Sequence, residues 1–166
     1  QRLARPRKNG TVRTQNNCMQ LTWHGSTCVH LQSNDATLII DPPFSSGGSK
    51  TPRLSADGVL FTDPKNPLIE KLRAAQSFVI ATQGEFELKN VSVHGTSING
   101  LTVFTLAVEG CMVGHLGSLS RTFSQAELEQ LYDIDILFIP VGEKNALNTK
   151  QAIEVVAVRL VEDHLA

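Results

Sequence analysis

Apolar and polar residues alternate with a period of two along the first part of the chain, a pattern typical of half-buried β-strands. Three such segments follow one another: Met19–His24, Cys28–Ser33 and Ala36–Asp41. The breaks between them are short and rich in glycine, serine and asparagine, which is typical of hairpins. The pattern therefore predicts three neighbouring strands in a meander.

The stretch Ala56–Pro67 carries the pattern on which the functional interpretation depends. A short apolar run, Gly58–Phe61, stops at Thr62 and is followed by a loop with two prolines, which predicts a buried strand whose end brings a loop to the surface. In α/β proteins the ends of such strands commonly carry the chemistry. The loop itself offers Asp63 and Lys65, a pair better suited to a solvated turn than to catalysis.

The rest of the chain predicts further strands and three helices. The strands are Ser77–Thr82, Glu85–Leu88, Val91–Gly95, Leu101–Val108 and Cys111–Leu116, and the helices are Pro67–Ala75, Ser124–Tyr132 and Thr149–Leu160. Ser124 and Glu127 have the spacing of a capping box, in which the hydroxyl and the carboxylate each serve one backbone amide. The run Ile134–Val141 is too apolar for a half-exposed strand, so we expect it deep in a sheet that is covered on both faces. Strands in meanders with helices between the later ones predict two sheets sandwiched by helices.

The composition predicts one domain with a substantial core. The chain has 166 residues, of which 41% are hydrophobic and 19% charged, and it lacks an apolar run of the roughly 18 residues that a membrane span requires. We therefore expect residues 18–166 to form a single domain without a membrane partner. Three cysteines, Cys18, Cys28 and Cys111, form no CxxC pair, which predicts reduced thiols and a cytoplasmic protein.

The charge of the chain is distributed unevenly, although its net value is only −1. Residues 1–34 contain five basic residues and no acidic one, whereas all sixteen acidic residues lie from Asp35 onward. We interpret residues 1–17 as a flexible basic arm, with the first strand beginning near Met19. Such an arm is often only a solvated tail, but it could also contact phosphates or an acidic partner. The basic residues are Arg2, Arg5, Arg7, Lys8 and Arg13.

Six segments, in this order along the chain, carry a family resemblance: Met19–Cys28 (MQLTWHGSTC), Leu38–Phe44 (LIIDPPF), Ala56–Thr62 (ADGVLFT), Gly84–Gly95 (GEFELKNVSVHG), Gly114–Leu119 (GHLGSL) and Asp133–Gly142 (DIDILFIPVG). Together they resemble the metallo-β-lactamase superfamily, in particular its small bacterial metal-dependent hydrolases, often called β-lactamase-fold-like or UlaG-like proteins. The resemblance implies an α/β fold, a four-layer αββα sandwich, in agreement with the layers predicted from periodicity. It also implies a domain shortened at the C-terminus, because a final strand with an IPxH-like ending is absent.

The resemblance places the family's main metal motif on the loop after Gly58–Phe61. There the family carries HxHxDH, whose histidines and aspartate hold one or two zinc ions or similar metals. The matching ligand positions in this chain are Asp63, Lys65, Pro67 and Leu68. Lysine, proline and leucine offer zinc no lone pair at neutral pH, so only Asp63 could still bind.

Other positions at which the family holds its metal also lack the usual metal ligands in this chain. The aspartate of the family's LGD segment is matched by Ser118, and the histidine of its GHS segment is matched by Ser26. The loop Thr96–Gly100, where the family often carries another histidine, is short and has none. A dinuclear centre with these replacements would have almost no ligands.

The remaining histidines offer little compensation for these losses. His24 and His30 fall on the polar faces of their strands, which we expect at the surface, and His94 lies in a strand where we expect no ligand. His115 lies at a strand end near the ancestral site and is, with Asp63, the best remaining metal candidate, although a hydrogen-bonded structural role suits it better. Two ligands on separate strands would not position a water for attack.

The resemblance and its departures together predict a metallo-β-lactamase-fold pseudoenzyme without a metal or other cofactor, which serves as a binding or structural subunit. Its partner would be another protein or a second copy of the chain. One alternative is a hydrolase with a remodelled, mononuclear site that holds zinc or another divalent metal. A further alternative is a subunit of a nucleic-acid or ribonucleoprotein assembly that attaches through the basic arm.

The basic arm generates a first testable prediction. If it contacts phosphates, the chain should bind RNA or DNA without sequence preference, with a Kd of about 10⁻⁴ to 10⁻⁶ M that weakens steeply with salt because each contact releases counterions. A fluorescence-anisotropy titration of labelled oligonucleotides at several salt concentrations measures this. Deleting residues 1–13 should abolish most of the binding. Equal binding by the truncated chain, or no binding by the full chain at low salt, would exclude the arm as a nucleic-acid anchor.

Overall fold

Two mixed β-sheets lie face to face in the computed structural model, which describes residues 11–13, 19–43, 56–128, 133–142 and 146–162. The first sheet has the spatial order β1-β2-β3-β4-β5-β6 and the second the order β11-β10-β9-β8-β7. Strands β4, β5 and β6 are parallel, as are β10 and β11, and the other neighbours are antiparallel. The strands are β1 (Thr11–Arg13), β2 (Gln20–Gly25), β3 (Cys28–Gln32), β4 (Thr37–Ile40), β5 (Gly58–Leu60), β6 (Val79–Ile80), β7 (Gly84–Leu88), β8 (Val91–Ile98), β9 (Leu101–Val108), β10 (Cys111–His115) and β11 (Ile136–Phe138).

The main core lies between the two sheets. Successive side chains of a strand point to opposite faces, and on the inner faces these positions are apolar and fully buried. Leu31 and Leu60 of the first sheet belong to the same cluster as Phe104, Leu106 and Val113 of the second, all with 0% exposure. This cluster joins the sheets into one unit.

Helices cover the outer faces and complete four layers. On the first sheet, Ile69 of α1 (Leu68–Ala74) packs in a cluster with Val59 and Phe61. On the second, Ala152 and Val155 belong to a cluster with Ile98, Val103, Leu116, Leu119, Ile134 and Leu147, and both lie on α3 (Thr149–Glu162). The predicted four-layer αββα sandwich is confirmed. None of the described helices combines the length and the apolar character that a membrane span requires.

The short helix α2 (Gln125–Leu128) begins at an ionic junction. A carboxylate oxygen of Glu127 accepts the backbone N–H of Ser124 at 2.8 Å, as the capping box predicts. The Ser124 hydroxyl donates to that same carboxylate at 2.9 Å instead of serving a backbone amide. The Arg121 guanidinium donates two hydrogen bonds, of 2.6 and 2.9 Å, to the Glu127 carboxylate. These donors, Arg121 first, lower the pKa of Glu127 to about 2.

Two sequence predictions about strands of the second sheet are wrong. Strand β8 continues to Ile98, so the predicted loop Thr96–Gly100 is reduced to a tight turn at Asn99-Gly100, where both residues have positive φ. The run Ile134–Val141 forms only the three-residue strand β11, the last described strand on its side of the sheet instead of one deep within it. It is covered on both faces, as predicted: Ile136 and Phe138 pack against the inter-sheet core, and Leu137 and Ile139 pack against the cluster that contains residues of α3.

The N-terminal segment also differs from its prediction. Thr11–Arg13 pairs with β2 as strand β1, so the expectation that the first strand begins near Met19 is wrong. Residues 1–10 and 14–18 lie outside the described residues, and with them Arg2, Arg5, Arg7, Lys8 and Cys18. A deletion that tests the basic arm without removing β1 should therefore end at residue 10.

A second prediction concerns the inter-sheet core. Phe104→Ala should lower the free energy of unfolding by about 3–5 kcal/mol, because it leaves a cavity among side chains that cannot fully relax. Phe78 is a matched control because 45% of it is exposed, and Phe78→Ala should cost about 1 kcal/mol or less. Urea denaturation of both variants measures the difference. Equal losses would mean that Phe104 does not hold the sheets together.

Candidate functional site

The ends of strands β4 and β5 are tied together by a carboxylate. Asp41, the residue after β4, accepts the Thr62 backbone N–H at 2.8 Å and the Thr62 hydroxyl at 2.5 Å. Its own N–H donates to the Leu60 carbonyl at 2.9 Å, and its φ is +47°. Asp41 is therefore a clamp on the end of the neighbouring parallel strand.

The second sheet meets this clamp through a glycine. Gly117, two residues beyond β10, has a φ of +59°, and a Cβ atom there would overlap the side chain of Thr62. The Thr62 carbonyl in turn accepts the Thr102 N–H of β9 at 2.7 Å. Thr62 is 2% exposed, so the two sheets are joined at this corner by a buried polar contact as well as by the core.

His115, the last residue of β10, completes the corner and is 2% exposed. Its Nδ1 lies 3.2 Å from the Gly117 N–H, which can only donate, so Nδ1 accepts. Its Nε2 lies 2.8 Å from the Thr27 carbonyl, which can only accept, so Nε2 carries the proton. The ring is therefore the neutral Nε2–H tautomer with both nitrogens engaged. Burial lowers its pKa, against the opposing influence of the Asp41 carboxylate and the Thr27 carbonyl.

The cysteines near these elements are not arranged as nucleophiles. Burial, reinforced by the negative charge of Asp41, raises the pKa of the Cys28 thiol to about 11. Cys111 is half-buried, and its pKa is raised by burial and by Asp135. Both thiols stay protonated at neutral pH and act as small apolar side chains.

The loop that matches the family's metal motif is a solvated turn leading into α1. Asp63 is exposed and its Oδ1 accepts the Lys65 N–H at 2.9 Å, while the Asn66 side chain accepts the Leu68 N–H at 3.0 Å. Lys65 and Pro67 are exposed and Leu68 is half-buried. The structure thus uses Asp63 as a turn former, and the loop has the solvated character expected from its residues.

The donor set at this end of the sandwich does not fit a metal centre. Ser26 and Ser118 are exposed hydroxyl residues, and neither supplies the charge that a carboxylate brings to a cation. His115 has no free lone pair, because both of its nitrogens are hydrogen-bonded. Among the described residues no group of three His, Cys, Asp or Glu side chains is placed to hold a metal.

The other three described histidines make none of these hydrogen bonds. His24 is exposed, as expected, whereas His30 is half-buried; His94 is also exposed. The rings of His24 and His30 are 6.0 Å apart and tilted by 47°. The pKa of His30 is lowered by burial and by the electrostatic influence of His24.

A pocket of about 660 Å³ opens beside His115. One wall is the β2–β3 hairpin, which contributes Trp23, Gly25, Ser26, Thr27 and Val29, and the other is formed by Gly117 and residues 137–142. Trp23 is 53% exposed, and its Nε1 donates to the Ser26 carbonyl at 2.8 Å.

Sequence reasoning missed the roles of Thr62, Gly117 and Thr27. A polar residue at the end of an apolar strand was the available signal for Thr62, but its contact with Gly117 joins segments distant in sequence.

Comparison with known proteins places this geometry in a family. A family model described as a beta-lactamase superfamily domain matches residues 20–160. A curated protein of Enterococcus faecalis is 22% identical over 182 residues, covering 84% of this chain and 81% of its own, and one of Lysinibacillus sphaericus is 24% identical over 179 residues, covering 81% and 78%. Both relatives are named metal-dependent hydrolases.

Solved structures agree with this placement. A Thermotoga maritima chain, titled as a Zn-dependent hydrolase candidate of the metallo-beta-lactamase superfamily, superposes with a TM-score of 0.71 at 28% identity, covering 86% of this chain and 71% of its own. A Parabacteroides distasonis chain gives a TM-score of 0.62 at 18% identity, covering 88% and 80%; at that identity the likeness shows the fold alone.

The buried histidine generates a third prediction, on pH dependence. His115 has a lowered pKa in the folded chain, so between that pKa and the ordinary value of about 6.5 the unfolded state binds the extra proton. The contribution to stability is therefore complete above about pH 6.5 and is lost as the pH falls, with a slope of up to about 1.4 kcal/mol per pH unit. His30 acts in the same direction. Urea unfolding between pH 5 and 8 measures the slope.

A variant of His115 and a matched control test whether this slope arises from His115. His115→Gln should reduce the slope to the part that His30 contributes, whereas the change of an exposed ring, His94→Gln, should keep the part that His115 contributes. Because the first variant loses two buried hydrogen bonds, an NMR titration of the imidazoles in the unaltered chain provides an independent measurement. A His115 ring that takes up its proton near pH 6.5 in the folded chain would contradict the prediction.

Proposed function

The chain belongs to the beta-lactamase superfamily, and we propose that it is a member without a metal centre, a pseudoenzyme that serves as a binding or structural subunit. Its relatives are named metal-dependent hydrolases. We therefore infer that this chain has the same fold but does not carry out metal-dependent hydrolysis. A function of this kind depends on the residues at the site and not on the fold.

The state of His115 is the observation that carries the proposal. A zinc ligand must present a lone pair to the metal, and the Nδ1 lone pair of His115 is taken by the Gly117 N–H while Nε2–H donates to the Thr27 carbonyl. To bind a metal, this ring would have to give up a buried hydrogen bond on the ligating side, which costs about 1–3 kcal/mol. Asp63 remains available only as a single exposed carboxylate in a turn.

The positions around these two residues also favour a metal-free member. Lys65 would bring a positive charge to the loop that matches the metal motif, and Pro67, Leu68, Ser26 and Ser118 carry no anionic or imidazole donor. Repulsion between Lys65 and a metal cation opposes metal binding, and so does the lack of a bridging carboxylate at these positions. The polar groups of the corner are instead satisfied by one another, as in the Asp41–Thr62 clamp.

A hydrolase with a remodelled, mononuclear site is the alternative that the names of the relatives favour. It requires Asp63 to bind a divalent metal together with ligands other than the hydrogen-bonded His115. Attachment to a nucleic-acid or ribonucleoprotein assembly through the basic arm stays a prediction, as does association with a protein partner or a second copy of the chain.

The fourth prediction tests the metal content. The purified chain, dialysed against metal-free buffer, should retain far less than about one zinc, iron or manganese ion per chain by elemental analysis, because too few donors of the described residues converge on any one point. A chelator should leave the Tm unchanged, since an ion that does not bind the native state cannot stabilise it. Stoichiometric metal that is lost in Asp63→Ala but kept in the matched surface variant Asp35→Ala would establish the mononuclear alternative and overturn the pseudoenzyme proposal.

A further inference from the structure

The pocket beside His115 has an unusual chemical character for a site at the end of this sandwich. Its described lining residues include no Asp, Glu, Lys or Arg, and the one titratable ring, His115, is held neutral by its two hydrogen bonds. The volume of about 660 Å³ lies within the range of about 300–1,000 Å³ that is typical of small-molecule sites. The pocket is therefore large enough for a ligand, and its described lining offers that ligand no charge.

The walls of the pocket expose apolar surface that the core does not use. Trp23 is 53% exposed and Val141 is 48% exposed, and both line this cavity together with Ile139 and Pro140. The bond from Trp23 Nε1 to the Ser26 carbonyl fixes the indole plane, so the ring offers a preoriented face for stacking.

The polar groups that remain for a ligand are neutral and few. The backbone of the β2–β3 turn carries the Ser26 and Thr27 hydroxyls into the lining, and Ser26 is exposed. A hydroxyl donates one hydrogen bond and accepts up to two, which orients a ligand but does not neutralise an ion. Moving an ionised group from water into such surroundings without a partner is costly.

From this combination we infer that the pocket binds an uncharged aromatic small molecule, stacked on Trp23 and held against Val141. The inference rests on the proposed function, because a bound metal would add positive charge to this end of the sandwich and favour anions instead. The expected ligand is a flat apolar ring system, with at most neutral polar substituents that reach Ser26 or Thr27.

Two probes with the same aromatic skeleton provide the test. N-phenyl-1-naphthylamine is uncharged, and 8-anilino-1-naphthalenesulfonate adds one sulfonate. Trp23 is the only tryptophan of the chain, so energy transfer from tryptophan to the bound probe reports binding near this pocket. The titrations use the full chain in about 1 M salt, where the Debye length of about 3 Å suppresses attraction of the sulfonate to the basic arm.

We expect the uncharged probe to bind one site per chain, at least about tenfold more tightly than the sulfonate, because only the sulfonate must be desolvated. Val141→Asp should weaken the binding of the uncharged probe by a factor of about ten or more, since the substitution places a carboxylate in the pocket wall. Val156→Asp is the matched control: Val156 is also exposed, at 42%, but does not line the pocket, and the variant should bind normally.

The outcomes separate this inference from the proposed function. Equal affinity for the two probes, tighter binding of the sulfonate, or loss of binding that is the same in both Asp variants would overturn the inference while the metal analysis still stood. Stoichiometric metal together with a preference for the sulfonate would overturn both. Absence of metal together with selective, Val141-dependent binding of the uncharged probe is the result expected if both are correct.

Discussion

Asp41 and Thr62 form the contact on which this end of the molecule depends. The carboxylate accepts two hydrogen bonds from Thr62, which holds the ends of two parallel strands at a fixed distance. Thr62 then bonds through its carbonyl to Thr102 of the other sheet and leaves room only for a glycine at position 117. Because Gly117 also bonds to His115, and His115 bonds to the β2–β3 turn, five separate segments are positioned by this network of polar contacts and close packing.

The network also determines what chemistry the site can support. A polar group that is buried must be satisfied, and here each group is satisfied by another part of the protein. The Asp41 carboxylate is occupied by Thr62, and the imidazole of His115 is occupied on both sides. Beside this closed network the pocket wall is mostly apolar, so ligand recognition at this end relies on surface and shape more than on charge.

The strands of the sandwich were predictable from sequence because alternation is a direct record of burial. Leu101–Val108 matches β9 residue for residue, since one face of that strand lies in the core. The run Ile134–Val141 misled the prediction because a short strand at the side of a sheet, when it packs on both faces, has the same apolar pattern as a central strand. Strand β1 was missed because Thr11–Arg13 is a short edge segment with no periodicity of its own.

The candidate site was less predictable than the fold. The solvated turn at Asp63 follows from local residue chemistry, and the exposed Asp63 and Lys65 agree with it. The tautomer of His115 depends on Thr27 and Gly117, and the fit of Gly117 against Thr62 depends on how the two sheets meet. Such contacts are set by tertiary packing, which a single sequence does not record.

The close approach of Gly117 to Thr62 has an evolutionary consequence. A Cβ atom at position 117 would overlap the Cβ as well as the hydroxyl of Thr62, so a side chain there requires glycine at position 62 and still strains the backbone at a φ of +59°. Glycine at position 62 would in turn remove the hydroxyl that donates to Asp41. The effects of substitutions at these three positions are therefore non-additive, and viable paths between sequences must pass through them in a restricted order. The exposed loop at Asp63 and Lys65 is under no such epistasis, so drift in that loop can proceed without disturbing the corner that supports it.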